Sequence, residues 1–195
     1  MLNQGLRRPG VANTDAHECD HGSGRVRNYV RSTLDEHAVV EAAKRGRIVM
    51  STGPFLEVTY TAGGTTALLG DEIKGGRGEL AVRVECANWL DVDRVQLLVN
   101  GRPSPAHNYT REKDAAMFGD GPVKFDRRIA LDLPSDAHLI VVAIGERHRT
   151  SPVMGKSGTY PIAISNPIWV DADGAGFKSS GDTLDAPLPV KVLSK

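Results

Sequence analysis

Asp15 and His17, in the run Asn13-Thr14-Asp15-Ala16-His17-Glu18, set a hard oxygen donor two positions from an imidazole. Carboxylate and imidazole are the side chains that bind zinc, manganese or iron. One of each does not fill even a tetrahedral zinc shell. No other His/Asp/Glu cluster in the sequence offers a convincing completion. The simplest reading is that these are the last ligands of a metal site whose remainder lies upstream of Met1. On spacing alone a second reading stands beside it, a solvated turn in which Asp15 caps a nearby backbone N–H.

Cys19-Asp20-His21 follows and, with His17, could be drawn as a small zinc site. Zinc sites pair two close ligands with two more at a distance, and Cys86 and His107 stand alone. A rim loop of an active site is the preferred reading. Arg25 and Arg27 are the candidate contacts to a polar or anionic substrate at that rim, with a solvated basic loop as the alternative.

The elements that would position these residues are short. Gly10-Val11-Ala12-Asn13 suits a brief strand delivering Asp15 and His17 at its end. Thr33-Leu34-Asp35-Glu36 reads as a capping box, predicting a helix over 33–45 with Leu34, Ala38, Val39, Ala42 and Ala43 on one apolar face. Lys44 and Arg45 complement the helix dipole and Gly46 suits a left-handed cap. Arg47-Ile48-Val49-Met50 then reads as a strand, stopped by Thr52-Gly53-Pro54.

From about residue 55 the periodicity becomes strand-like. Leu56, Val58 and Tyr60 alternate with polar residues, as do Leu80, Val82, Val84 and Cys86, and then Val95, Leu97 and Val99 before the Asn100-Gly101 turn. Phe125, Ile129, Leu131 and Leu133 form another run, and Leu139 to Ile144 is apolar on both faces, as in a central strand. Pro161–Ile164 and Pro167–Val170 supply the last extended pieces. Several short strands and no second long helix argue for a mainly β fold, an antiparallel, Ig-like β-sandwich. Trp89 and Trp169 are expected to pack in its core or at its edge. Residues 102–123 look structureless, with His107, Tyr109, Arg111, Met117 and Phe118 either on a loop that could lean over a barrel mouth or, equally, in plain disorder. Asn108-Tyr109-Thr110 matches a glycosylation sequon by a pattern that is common by chance. Asp171-Ala172-Asp173-Gly174 has a calcium-loop flavour, but Gly174 comes too early and no Glu follows, so a polar turn is expected.

Taken in order, Leu2-Asn3-Gln4-Gly5-Leu6-Arg7, Asn13-Thr14-Asp15-Ala16-His17, Arg27-Asn28-Tyr29-Val30, Gly46-Arg47, Ser51-Thr52-Gly53-Pro54 and Asn166-Pro167-Ile168-Trp169-Val170-Asp171 resemble the closing part of PHP-domain metallohydrolases. The branch is that of the CehA/McbA type, in which a β-rich domain follows the catalytic barrel. The resemblance implies that residues 1–54 are the end of a distorted β/α barrel, an α/β remnant with one helix and one strand. The strand periodicity gives a β-sandwich domain over 55–175, and the Ser, Gly, Pro and Asp content after it a flexible tail over 176–195. The resemblance makes Asp15 and His17 ligands of a two- or three-metal centre of zinc, manganese or iron, and the chain the C-terminal portion of a hydrolase for an ester, amide or phosphoester bond. The His-x-His pair that opens such a barrel and its intervening Glu and His ligands have no counterpart here. The isolated chain is therefore expected to be inactive and to hold no metal tightly. Its expected partner is the upstream barrel, and the exposed helix could also join copies of the chain. The alternative is a non-catalytic sandwich that docks against or stabilises another domain.

Composition narrows the partners. Lys+Arg and Asp+Glu both number 24, leaving no net charge and none of the basic stripe that nucleic acid requires. No stretch approaches the ~20 apolar residues of a spanning helix. No basic region followed by an apolar run marks a signal peptide in this sequence. The two cysteines do not decide between compartments.

Overall fold

The computed structural model describes residues 1–17, 24–150 and 159–186. It is mainly β, with two largely antiparallel sheets sharing one apolar core, an arrangement consistent with a β-sandwich.

The smaller sheet has four strands: β3 (Phe55–Ala62), β4 (Thr65–Ala67), β6 (Arg77–Glu85) and β9 (Val123–Asp132), in the order β4-β3-β6-β9. Gly63 and Gly64 both take positive φ, the backbone of the tight turn between β3 and β4. Alternation then decides the inner face. Leu56 opposes Val84, Val58 opposes Val82 and Tyr60 opposes Leu80, all buried. Each such side chain contributes about 1.5–3 kcal/mol by leaving water. The outer face is tied by ion pairs, among them Arg83 with Glu85 and Asp126.

The larger sheet contains β1 (Arg27–Val30), β2 (Ile48–Ser51), β5 (Glu72–Lys74), β7 (Arg94–Val99), β8 (Arg102–Thr110), β10 (Ala137–Ile144), β11 (Ile162–Ser165) and β12 (Ile168–Asp171). Strand β10 is central, as its two apolar faces predict. It pairs with β7 along one edge and with β11 and then β12 along the other. Val142 opposes Ile164 and Leu139 opposes Ile168, so the β11–β12 edge carries one extra residue. That bulge falls at Asn166-Pro167, where Pro167 has no N–H to give. The Ser165 hydroxyl accepts the Val141 N–H at 2.9 Å across the break. The β12–β5 pairing is parallel.

Strands β1 and β2 belong to this same sheet, through the β2–β11 ladder. The sheet thus takes strands from both sides of residue 54.

The helix α1 (Glu36–Lys44) starts later than the capping box implied. Its cap is Asp35, whose Oδ1 accepts the Ala38 N–H at 2.9 Å, and not Thr33. Leu34 therefore precedes the helix and is wholly exposed. Val39 and Val40 are also exposed, and Ala42 alone of the apolar face is buried. The C-terminal end is docked tightly: a side chain at Gly70 would sit 1.6 Å from the Arg45 carbonyl oxygen.

Two further expectations change, at Trp89 and over 102–123. Trp169 is buried and meets Phe177 edge-on at 5.0 Å, with Arg7 stacked 4.7 Å above its ring. Trp89, expected to pack, is 82% exposed, because Leu90 takes the buried place in that turn. The stretch 102–123 is not a loop. Arg102–Thr110 is an edge strand on β7, a 3-10 turn follows at Ala115–Met117, and Phe118 is buried. Arg111 fastens this stretch by donating to Asp91 at 3.0 Å and to the Gly119 carbonyl at 2.9 Å. Arg102 also pairs with both Asp182 and Asp185, and the Gly181 N–H donates to the Asn3 carbonyl.

Candidate functional site

Among the described residues the segment leading to Asp15 pairs with no strand, yet three side chains hold it. Asn166 Oδ1 accepts the Gly10 N–H at 2.7 Å, and its Nδ2 donates to the Gly10 carbonyl at 3.0 Å. Asn28 repeats the arrangement two residues on, accepting from Ala12 N–H at 3.0 Å and donating to its carbonyl at 2.8 Å. Thr14 closes the series. Its hydroxyl donates to the Val26 carbonyl at 3.3 Å and accepts the N–H groups of Gly24 and Val26 at 3.2 and 3.4 Å. Gly10 suits this track because a side chain there would press on Met50 at 3.1 Å.

Asp15 is the next residue and takes φ 50, the left-handed region that Asp tolerates better than most residues. Its Oδ1 lies 3.4 Å from His17 Nε2. The two side chains are 88% and 74% exposed respectively, so the fold does not consume them in packing. Arg25 is half-buried and Arg27 exposed, flanking Val26 at the start of β1. The four candidate residues thus sit on two short segments that Thr14 links. Cys19, Asp20 and His21 lie outside the described residues.

The donor types of Asp15 and His17 fit a divalent transition ion, but two donors do not hold one. Among the described residues the cluster of three carboxylates is elsewhere, at Asp136, Asp171 and Asp173. These oxygens staple a turn. Asp136 accepts from Ala172 and Lys178, Asp171 from Gly174 and Gly176, and Asp173 from Ala175. The Ala175 N–H also holds the Asp173 carboxyl below its ordinary range. The polar turn expected from Asp171-Ala172-Asp173-Gly174 is what forms.

Two features have no signature in the sequence. The asparagine clamps join residues up to 156 positions apart, which no local pattern reveals. The other is a cavity of about 300 Å3 between the β1–β2 edge and β3, lined by Val49, Leu56, Val58 and Leu69, with Tyr29 and Phe55 meeting edge-on at 5.2 Å. Arg31, Arg47 and Glu57 also reach its lining. Comparison with protein-family models, with curated proteins and with solved structures returned no match.

Proposed function

We propose that this chain is the C-terminal portion of a metal-dependent hydrolase of the PHP type, cleaving an ester, amide or phosphoester bond. Asp15 and His17 would be two ligands of a centre that an upstream barrel completes, and the β-rich part would be its Ig-like companion domain. The observation that carries this reading is the pinned segment. Three side-chain anchors hold Gly10, Ala12 and Thr14, and they lead into two adjacent ligand-type side chains, Asp15 and His17, that stand 3.4 Å apart and mostly exposed. Anchoring of this kind is what a metal ligand requires from its surroundings. Because two donors are too few, no reaction step belongs to this chain by itself.

The test is metal content and turnover. The purified chain dialysed against zinc or manganese should retain well under one ion per chain and hydrolyse model esters and phosphoesters negligibly. In a form joined to its barrel, Asp15→Ala and His17→Ala should each abolish activity while leaving the sheets folded. Unchanged activity in both variants would overturn the proposal. So would tight, stoichiometric metal and turnover in the isolated chain.

A second reading, a non-catalytic docking or stabilising module, has its own support in the exposure of Leu34, Val39 and Val40. Hydrogen exchange of residues 33–45 separates a covered face from a bare one. Protection that rises with protein concentration favours pairing between copies.

A further inference from the structure

We propose that the cavity between the β1–β2 edge and β3 is a binding site for a small carboxylate with an unbranched apolar tail, of the medium-chain fatty acid class. The proposal is independent of the metal reading. A cavity of about 300 Å3 lies at the lower end of the size range of small-molecule sites. Its walls are aliphatic at Val49, Leu56, Val58 and Leu69, all buried and contributed by both sheets. An apolar tail is what such walls reward, at roughly 0.8 kcal/mol per buried methylene.

Charge chooses the head group. The Arg31 N–H donates to the Arg47 carbonyl at 3.0 Å, so the two arginines leave neighbouring backbone positions on one wall. Arg47 gives one nitrogen to Asp71 at 2.9 Å, while Arg31 makes no ion pair among the described residues and is exposed. The one carboxylate of the lining, Glu57, comes from β3. With Arg47 engaged by Asp71, Arg31 is the guanidinium of the lining that a carboxylate head can pair with, while the tail takes the aliphatic walls. An ammonium head would have only Glu57 in a lining that carries two arginines.

The test is a titration of the isotope-labelled chain followed by amide NMR, with octanoate, octanol and acetate as probes. Octanoate should shift the amides of Tyr29–Arg31, Arg47–Val49 and Phe55–Val58 saturably. Octanol should bind the same place about fivefold more weakly, the upper end of what one partly exposed ion pair contributes. Acetate, lacking the tail, should not saturate. Arg31→Gln should weaken octanoate about fivefold and leave octanol unchanged. Val58→Phe should abolish both by filling the cavity. Should Val58→Phe fail to fold, the octanoate–octanol comparison in Arg31→Gln decides alone. Equal affinities for octanoate and octanol in the unsubstituted chain, no effect of Arg31→Gln on octanoate, or no saturable shift at millimolar octanoate would each overturn the proposal.

Discussion

Asn166 binds Gly10 as a neighbouring strand would, accepting from its N–H at 2.7 Å and donating to its carbonyl at 3.0 Å. The carboxamide stands free to do so because the bulge between β11 and β12 removes its residue from the ladder on β10. Its Nδ2 also reaches the Ile48 carbonyl at 3.2 Å, so one side chain ties the N-terminal segment, β2 and the bulge together.

Asn166→Ala should cost about 2–3 kcal/mol, because it leaves the Gly10 N–H and carbonyl without these partners in a site where Asn166 is 3% exposed. Asn166→Asp should cost more, since a carboxylate cannot donate to the two carbonyls and sets negative charge against them. Urea unfolding measures both. An aspartate variant more stable than the alanine variant would contradict the donor role assigned to Nδ2.

Gly70→Ala tests the docking of the helix. The new methyl would meet the Arg45 carbonyl oxygen at 1.6 Å and would force a non-glycine residue to φ +83. Gly64 has a similar φ of +79 with nothing nearby, so Gly64→Ala carries the conformational penalty of about 1 kcal/mol alone. Gly70→Ala should lose at least about 2 kcal/mol more than Gly64→Ala in the same unfolding assay. Equal losses would mean that the helix end is free to move away.

Stability should also fall on mild acidification. His138 is 2% exposed, and burial, assisted by the N-terminal ammonium, pushes its pKa down from 6.5 to about 4. Between those values the unfolded chain binds a proton that the folded chain refuses. The stability is therefore complete above about 6.5, declines as pH falls, and levels off below about 4, with a full loss of about 3 kcal/mol. His107, also pushed down by burial, acts with the same sign, so the comparison must isolate one residue. His138→Gln should remove most of the slope across that window, read as unfolding midpoints at successive pH values. Asp182 acts lower. Arg102 and the Leu184 N–H hold it down to about 2, so its contribution is present above the ordinary carboxylate range and lost as pH falls toward 2.

The inner faces of β3, β6, β7 and β9 were legible because local alternation alone sets them, as in Leu56, Val58 and Tyr60. The Asn100-Gly101 turn was legible for the same reason, both residues taking positive φ. Strand β8 was not, because Arg102-Pro-Ser-Pro-Ala-His-Asn-Tyr-Thr is polar and carries two prolines, a composition that only an edge tolerates. The helix caps on Asp35 and not Thr33 because extended backbone at Asp35 sets its carboxylate on the Ala38 N–H, a geometry that the capping-box pattern does not contain. The joining of β1 and β2 to β11 depends on pairings more than 100 residues apart, beyond any window of periodicity. At the candidate site, Asp15 and His17 announced themselves by type and spacing. The asparagines that hold their segment did not, because amide side chains carry no marker of the distant backbone they bind.

The last prediction separates Asp15 as a backbone residue from Asp15 as a ligand. Its φ of 50 costs a β-carbon about 1–2 kcal/mol, a penalty that Asn and Asp bear more lightly than Ala. Asp15→Ala should therefore destabilise the chain by about 1 kcal/mol with no involvement of metal, while Asp15→Asn should be nearly neutral for stability. His17→Ala should be neutral too, since the side chain is 74% exposed and exposed pairs contribute little. In the barrel-joined form, Asp15→Asn removes the anionic ligand without the backbone penalty, so its metal content and turnover should fall as far as those of Asp15→Ala. If Asp15→Asn instead kept full metal content and turnover, Asp15 would be a turn residue only, and the metal reading of the Asp15–His17 pair would fail with it.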